Sequence, residues 1–448
     1  MQIVIEERGE SWESGGMAKS YRPYFPEQDF LLPPSLREWL PENHLAYFVS
    51  DMVDQLDLSV IEGYYEREER GYPPYHPRMM TKLLVYGYAT GVFASRKLEK
   101  KLVEDVAFRV LAAGNQPDFR TLSDFRRIHL KALEGLFAQV LRLALKLGAM
   151  KLGRVAIDGS KVKANASKHK AMSYRRMEED EKRLKAEARR LLAEAEQIDK
   201  EEDKRYGRNS RGDELPAELQ RREQRLERIA EAKRELEQRA RAEAEEKQDR
   251  EAKKAKPKPK DQHNFTDPES RIMKGPDGFV QAYNTQIAVE PALQLIVGQA
   301  VTQQANDKKQ LLPMIDKVKQ QSGQKVKEAL ADSGYCSEEN LRAAAKKKVD
   351  LYVATGKQKH HQASVSCARG RIPQSATRVD RMKRKLMTKA GRAIYALRKT
   401  IVEPVFGQIK QAQGFRQFLL RGYEKVQGEW ALVCTTHNLL KLYRVCMA

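Results

Sequence analysis

The feature that most constrains this chain is a block of dense, mixed charge set inside a region that otherwise reads as strands. Residues 171–260 hold 27 Lys and Arg against 24 Asp and Glu, so more than half of the block is ionised while its net charge is only +3. Such a segment cannot bury its surface as a sheet. Leu184, Ala188, Leu191, Ala195 and Ile198 fall on one helical stripe, and Leu219, Leu226, Ile229 and Leu236 on a second, with Tyr206-Gly207 to Pro216 between them. The pattern predicts an antiparallel helical hairpin or coiled coil with solvated outer faces. The following KAKPKPK predicts a linker with no side chains suited to a core.

Strand signals flank the block. The run from Arg154 to Gly159, β-branched and ending in Asp-Gly, predicts a strand that enters a turn. After the block, Phe279–Glu290 and Leu293–Thr302 predict a hairpin turning at Pro291. A helix over Lys308–Gln321, a strand over Val326–Asp332, a helix over Ser337–Lys347 and a strand over Val349–Ala354 follow. Two helices close the chain, over Ala390–Gln411 and Tyr423–Tyr443. The expected fold is therefore α/β, a mixed sheet with helices, split by a helical insertion after its first strand.

Residues 1–20 read as a polar tail, with Met17 as an alternative start, and residues 21–150 as an all-α module. There Asn43–Leu56 has apolar residues at helical spacing, and His76-Pro77 opens a second helix with proline where its missing N–H costs nothing. A third helix covers Ser95–Ala112. A fourth opens at Thr121, with Asp124 in a capping-box-like position, and closes at Gly148. The split α/β unit is then 151–170 plus 263–448, with 171–262 as insertion and linker.

Charge narrows the function. Lys and Arg number 83 against 62 acids, a net of +21, which calls for a polyanionic partner. Residues 354–400 alone carry thirteen bases and one acid, Asp380. That stretch lacks the apolar helical face of a membrane-surface binder, and no apolar run is long enough to span a bilayer. The four cysteines form no CxxC pair, so no zinc framework is encoded. Cys434 and His437 share a helix face without further ligands, and Gly356-Lys357 lacks the earlier glycine of a P-loop. The N-terminus is too acidic and polar for a signal peptide, leaving a cytoplasmic, nucleoid-associated protein as the expectation.

Three acids have positions suited to chemistry. Asp158 ends VAIDGSK's strand, Asp332 ends that of EALADSGY, and Glu403 lies on the helix IVEPVFGQIK. Acids at strand ends with a third on a packing helix can offer hard oxygen ligands to divalent metal. Composition and spacing alone do not select these three over Asp267 or Asp307.

The segments AIDGSKVKANASK, NFTDPESRIMK, GFVQAYNTQIAV, LADSGYCSEENL and RKTIVEPVFGQIKQAQGFRQFLLRG occur in this order. Together they resemble the DDE transposases of bacterial insertion sequences, in the subgroup with a helical N-terminal module and a coiled-coil insertion. The resemblance covers about Tyr21 to Leu442. It implies a ribonuclease-H-like catalytic domain whose metal-binding catalytic triad is Asp158, Asp332 and Glu403. It implies Mg²⁺ as cofactor, or Mn²⁺ in its place, and as partners transposon-end and target DNA within a homodimer or higher synaptic oligomer. A Tyr, Arg, Glu, Lys signature around the last acid maps onto Tyr395, Arg398, Glu403 and Lys410. Four residues separate Arg398 from Glu403 where the usual gap is three, so Lys399 competes for the basic position. Glu403 and Lys410, seven apart, are expected on one helical face.

Further bases are candidate DNA contacts. Lys161 and Lys163 follow Asp158. Arg416 and Arg421 are interleaved with Phe415 and Phe418, which either stack on nucleotides or belong to the core. The expected activity is metal-dependent cleavage at element ends and strand transfer into target DNA. The competing readings are a non-catalytic, sequence-specific DNA-binding relic and a tyrosine recombinase built on Tyr395.

Overall fold

A computed structural model describes residues 35–66, 73–167, 170–206, 217–246, 252–275, 278–356 and 370–447. The N-terminal region is helical, as its apolar spacing predicts: α1 (Leu45–Asp54), α2 (Ser59–Tyr65), α3 (Pro77–Ala89), α4 (Ser95–Glu104), α5 (Val106–Leu111) and α6 (Phe119–Lys146). His76 caps α3 and Pro77 occupies its first turn. Two expectations fail on capping chemistry. The single helix over 95–112 is broken at Asp105, whose extended backbone ends α4 and whose carboxylate caps α5 through the Ala107 N–H at 3.1 Å. α6 is capped by Asp118, which accepts from the Thr121 N–H at 2.7 Å, so Thr121 lies inside the helix instead of opening it.

The strands are β1 (Arg154–Lys163), β2 (Ala171–Ser173), β3 (Gln262–Asn264), β4 (Arg271–Gly275), β5 (Gly278–Val289), β6 (Ile296–Thr302), β7 (Glu328–Ala331) and β8 (Asp350–Val353). β2 and β3 form a small sheet of their own. In the main sheet β5 pairs antiparallel with β1 on one edge, while β4 and β6 share its other edge. β1, β7 and β8 are mutually parallel. The core order is thus β6-β5-β1-β7-β8. The first strand does not end at Asp158-Gly159: β1 continues to Lys163, because its far half pairs with β5 after β7 has stopped at Ala331.

α9 (Leu311–Ser322) packs on β5 and β6, and α10 (Glu338–Lys346) lies between β7 and β8 in the chain. α11 (Arg378–Met387) and α12 (Lys389–Gly407) follow, then α13 (Tyr423–Cys446). α11 was not expected in the basic stretch; a Thr377/Asp380 capping box starts it. Residues 357–369 of that stretch lie outside the described residues. The middle of α13 is buried on nearly all sides, because it stands between α3 and α6 on one side and β6 on the other. Gly428 permits this: a Cβ there would sit 2.6 Å from Cγ of Leu130 on α6. The Asn438 side chain of α13 bonds both backbone groups of Ile296 at 2.8 Å, capping the edge of β6. One continuous core runs from Ala46 to Leu442.

The charged block forms α7 (Tyr174–Tyr206) and α8 (Ala217–Glu246). They run antiparallel, joined by Lys233–Glu181, Arg222–Glu187 and Tyr174–Glu237 contacts and by a small core of Met177, Leu184, Ile229, Ala232 and Leu236. The separating segment 207–216 and the side chains of Ala195, Ile198 and Leu219 lie outside the described residues. The KAKPKPK segment is more than a linker: Pro257 is buried, and the Pro259 carbonyl accepts from the Arg175 N–H. No helix among the described residues is long and apolar enough to cross a membrane.

Candidate functional site

The parallel register of β1 and β7 brings the two candidate aspartates together. Ile157 pairs with Ala331, so Asp158 and Asp332 are the next residues in step, on neighbouring strands about 4.8 Å apart. Asp332 leaves the strand there to cap the turn Ser333–Tyr335, accepting from the Gly334 N–H at 2.8 Å.

α12 supplies the third acid and its counter-ion. Ile401, Val402 and Val405 bury one side of α12. Arg398, one turn before Val402, shares that side and reaches across to β1. Its Nη1 lies 3.3 Å from Asp158 Oδ2 and its Nη2 3.0 Å from Glu403 Oε1. The Arg398 side chain is 11% exposed and that of Glu403 52%, so the guanidinium is walled in while Glu403 faces outward. Lys399, the competing base, is exposed. Tyr395, half-buried, lies against Arg398; burial raises its hydroxyl pKa.

Burial also pushes the Asp158 carboxyl up to about 6, against the opposing pull of Arg398 and the Gly159 N–H; the charges of Asp332 and Asp307 raise it further. Asp307 is a member of the site that spacing alone did not select. It accepts from Asn284 Nδ2 and Gln286 Nε2, each at 2.7 Å, and from Lys161 Nζ at 3.5 Å. Three residues beyond Asp158, Lys161 points to the opposite face of β1. Burial lowers its pKa, with Asp307 pulling the other way. Gly159 makes room for this cluster: a Cβ there would lie 2.2 Å from Gln286 Nε2 and 2.7 Å from Asp307 Oδ1. Asp267, the other undecided acid, is buried elsewhere, bonded by the Tyr283 hydroxyl and the Gly422 N–H.

Lys410 bonds Ser160 Oγ and, at 3.2 Å, the Lys161 carbonyl, which places its ammonium two residues from Asp158 along β1. The expected two regular turns between Glu403 and Lys410 do not form. α12 ends at Gly407 and a π turn, Gln408–Ala412, carries Lys410. Within α12, Pro404 has no N–H for the Thr400 carbonyl, which accepts instead from Gln294 Nε2 at 2.9 Å. Lys163 is exposed at the end of β1 and its backbone pairs with the 416–418 segment. Arg416 bonds the Lys410 carbonyl and Arg421 the Asn165 carbonyl, both side chains lying at the surface. Phe415 and Phe418 are buried, so they are core. Cys434 and His437 are buried too, and His437 Nε2 meets the Gln294 carbonyl at 3.2 Å.

Among the described residues no three His, Cys, Asp or Glu side chains converge tightly enough to form a ready metal cage. The donor chemistry nonetheless fits a divalent cation. Asp332 and Asp307 both act on Asp158 as like charges, and Arg398 is already shared with Glu403, so an anionic excess remains to be neutralised.

Residues 34–127 match the family described as Transposase domain (DUF772), and residues 250–439 the family described as Transposase DDE domain. Asp332 and Glu403 fall in the second range; Asp158 and the α7–α8 pair fall in neither. No curated protein and no solved structure matches the chain. With one transposase family matched on the N-terminal helices and the DDE family on most of the sheet and the helix bearing Glu403, the chain is a DDE transposase of an insertion sequence.

Proposed function

We propose that this transposase hydrolyses a phosphodiester at each element end and then directs the freed 3′-hydroxyl against target DNA, with Asp158, Asp332 and Glu403 as the catalytic triad. The observation that supports this reading most is the in-register placement of Asp158 beside Asp332, under an arginine that also holds Glu403. Asp158 and Asp332 would hold divalent metal, Mg²⁺ or Mn²⁺, with Glu403 joining them on release from Arg398. The bound metal supplies Lewis-acid activation of water and of the phosphoryl oxygen.

The chain's own residues do the rest. Arg398 keeps Asp158 ionised and oriented through Oδ2, and Tyr395 packs that guanidinium in place. Lys410, anchored on Ser160, and Lys161, on the other face of β1, set positive charge on both sides of the carboxylates, where a backbone phosphate must lie. Lys163, Lys399, Arg416 and Arg421 extend that charge along the surface. Arg398 takes the basic position of the signature in preference to Lys399, since it is the one that meets both acids. In the division of labour proposed, residues 21–150 bind DNA, 151–170 with 263–448 carry the chemistry, and 171–262 form the insertion. A homodimer or higher assembly brings two ends together.

The test is cleavage of labelled duplex carrying the flanks of the coding region, with Mg²⁺ or with EDTA. Asp158→Ala and Asp332→Asn should each lower nicking by at least about 10²-fold while binding persists. Binding without metal-dependent nicking by wild type would instead favour a DNA-binding relic. Nicking that survives both substitutions would remove these acids from the mechanism.

A further inference from the structure

A large cavity lies away from the acids. About 830 Å³ in volume, it opens at the root of the α7–α8 pair, where the small β2–β3 sheet, α8 and the loop bearing Arg421 meet. Its bases are Lys170, Arg176, Arg225, Arg228 and Arg421, against Glu231 and Glu235. Glu235 is already engaged by Arg239 at 3.2 Å, and Arg225 by Asp180 at 3.4 Å. Among the described residues Lys170, Arg176 and Arg228 have no carboxylate in ion-pairing reach, and all three are exposed.

The floor of the cavity carries a second signal. His263 is 96% buried, being 4% exposed, yet its Nδ1 has no hydrogen-bond partner, and neither has the buried Thr266 Oγ1; both residues line the cavity. Burial and the neighbouring Arg239 and Arg271 push the imidazole pKa down to about 4, so at neutral pH the ring is uncharged, and its Nδ1 faces Glu235 Oε2 at 3.5 Å without a hydrogen bond. An unpartnered hydroxyl, that of Thr266, beneath a rim that holds three unpaired bases suits an oxyanion that is delivered from solvent and carries its charge on several oxygens.

The position of the cleft says which oxyanion. Arg421 Nε bonds the Asn165 carbonyl at 2.9 Å, and Asn165 lies seven residues beyond Asp158 along the extended β1 chain. At about 3.3 Å per residue this is roughly 23 Å from the aspartate pair, or about seven phosphates along one DNA strand at 3.4 Å each. Lys163 and Arg416 lie exposed between the two places. We infer that this cleft is a second DNA-backbone site, which grips the phosphates of a duplex about seven nucleotides from the bond held at Asp158 and Asp332. The insertion then acts as a clamp on the DNA substrate, with five bases against two acids facing the cleft at its root.

The inference rests on the DNA-cleaving reading, and the test separates the two. Full-length protein is titrated with a fluorescent 30-bp duplex of arbitrary sequence over a series of NaCl concentrations. Each phosphate contact contributes about 0.9 to the slope of log K against log salt. Arg176→Gln with Arg228→Gln should therefore reduce the slope by about 1.8 and weaken binding most at low salt. Circular dichroism and the melting temperature of the double variant check that it is folded. Hydroxyl-radical footprinting of the wild type on coding-region flanks adds a measurement that needs no variant: protection should recur about seven nucleotides from the cleavage position. An unchanged slope in the folded variant, or a footprint confined to the cleavage position, overturns the clamp, and would leave an acidic protein surface as the cleft's partner. A lowered slope in a protein that never nicks DNA would keep the clamp and sink the catalytic reading instead.

Discussion

The buried carboxylate of Glu429 offers the sharpest test of how the N-terminal helices are coupled to the site. Glu429 on α13 is fully buried. It accepts from the Tyr88 hydroxyl at 3.1 Å and from the Leu419 and Leu420 N–H groups, each at 3.0 Å. Tyr88 in turn accepts from Arg126 Nη1 at 3.2 Å. One acid thus ties α3, α6 and α13 to the segment that carries Arg416 and Arg421. Burial raises the Glu429 pKa, and the donors around it compensate. Glu429→Ala would leave two backbone donors and a phenol without their acceptor, and the buried Arg126 guanidinium without a nearby opposite charge. Each orphaned donor costs about 1–3 kcal/mol, and breaking one side of a buried charged set costs about 3–5 kcal/mol; the donors share one cavity, so the second figure is the one to expect. Tyr88→Phe removes a single hydroxyl, worth about 1 kcal/mol.

Urea unfolding followed by fluorescence reads both variants and their double, with the midpoint shift interpreted only where the slope is unchanged. The coupling energy between the two positions should fall at about 0.5–3 kcal/mol. A loss below about 1 kcal/mol for Glu429→Ala, or strict additivity with Tyr88→Phe, would refute the idea that this carboxylate joins the two halves. Because the 415–421 segment would lose its anchor, Glu429→Ala should also weaken DNA binding although no DNA contact is assigned to the residue itself.

Much of the architecture is legible in local patterns, and the failures have identifiable causes. The helices, the β5–β6 hairpin and the parallel strands follow from apolar period and turn residues. The end of β1 does not, because whether Asp158-Gly159 turns or continues depends on a partner, β5, that lies more than a hundred residues away in sequence. Choosing Asp307 over Asp267 likewise needed tertiary placement, since each is an acid in the same α/β part and only the fold sends one to Gln286 and the other to Tyr283. Arg398 against Lys399 could have been decided earlier. Arg398, Ile401, Val402 and Val405 share one helical stripe, and Lys399 falls off it. Glu429 had a signal as well, a lone acid entering the apolar run GEWALVC. The π turn at Lys410 had none.

Two stability predictions bear on the site's surroundings. Phe418→Ala should cost about 3–5 kcal/mol, as deletion of a fully buried aromatic does, and thermal melting would show it; a variant that keeps its stability but loses affinity for single strands would return Phe418 to the DNA-stacking role. His437 should make folding sensitive to acid. Burial pushes its pKa down to about 4 from an ordinary 6.5, so the unfolded chain binds the proton more readily. The contribution is therefore fully present above pH 6.5 and is lost as pH falls through the window down to 4. A depression of that size corresponds to about 3 kcal/mol. His437→Gln, which keeps a donor for the Gln294 carbonyl but cannot titrate, should flatten the stability profile between those two values. Equal acid sensitivity in wild type and variant would mean that the ring stays accessible to protons, and that α13 does not seal this side of β6 as tightly as its burial implies.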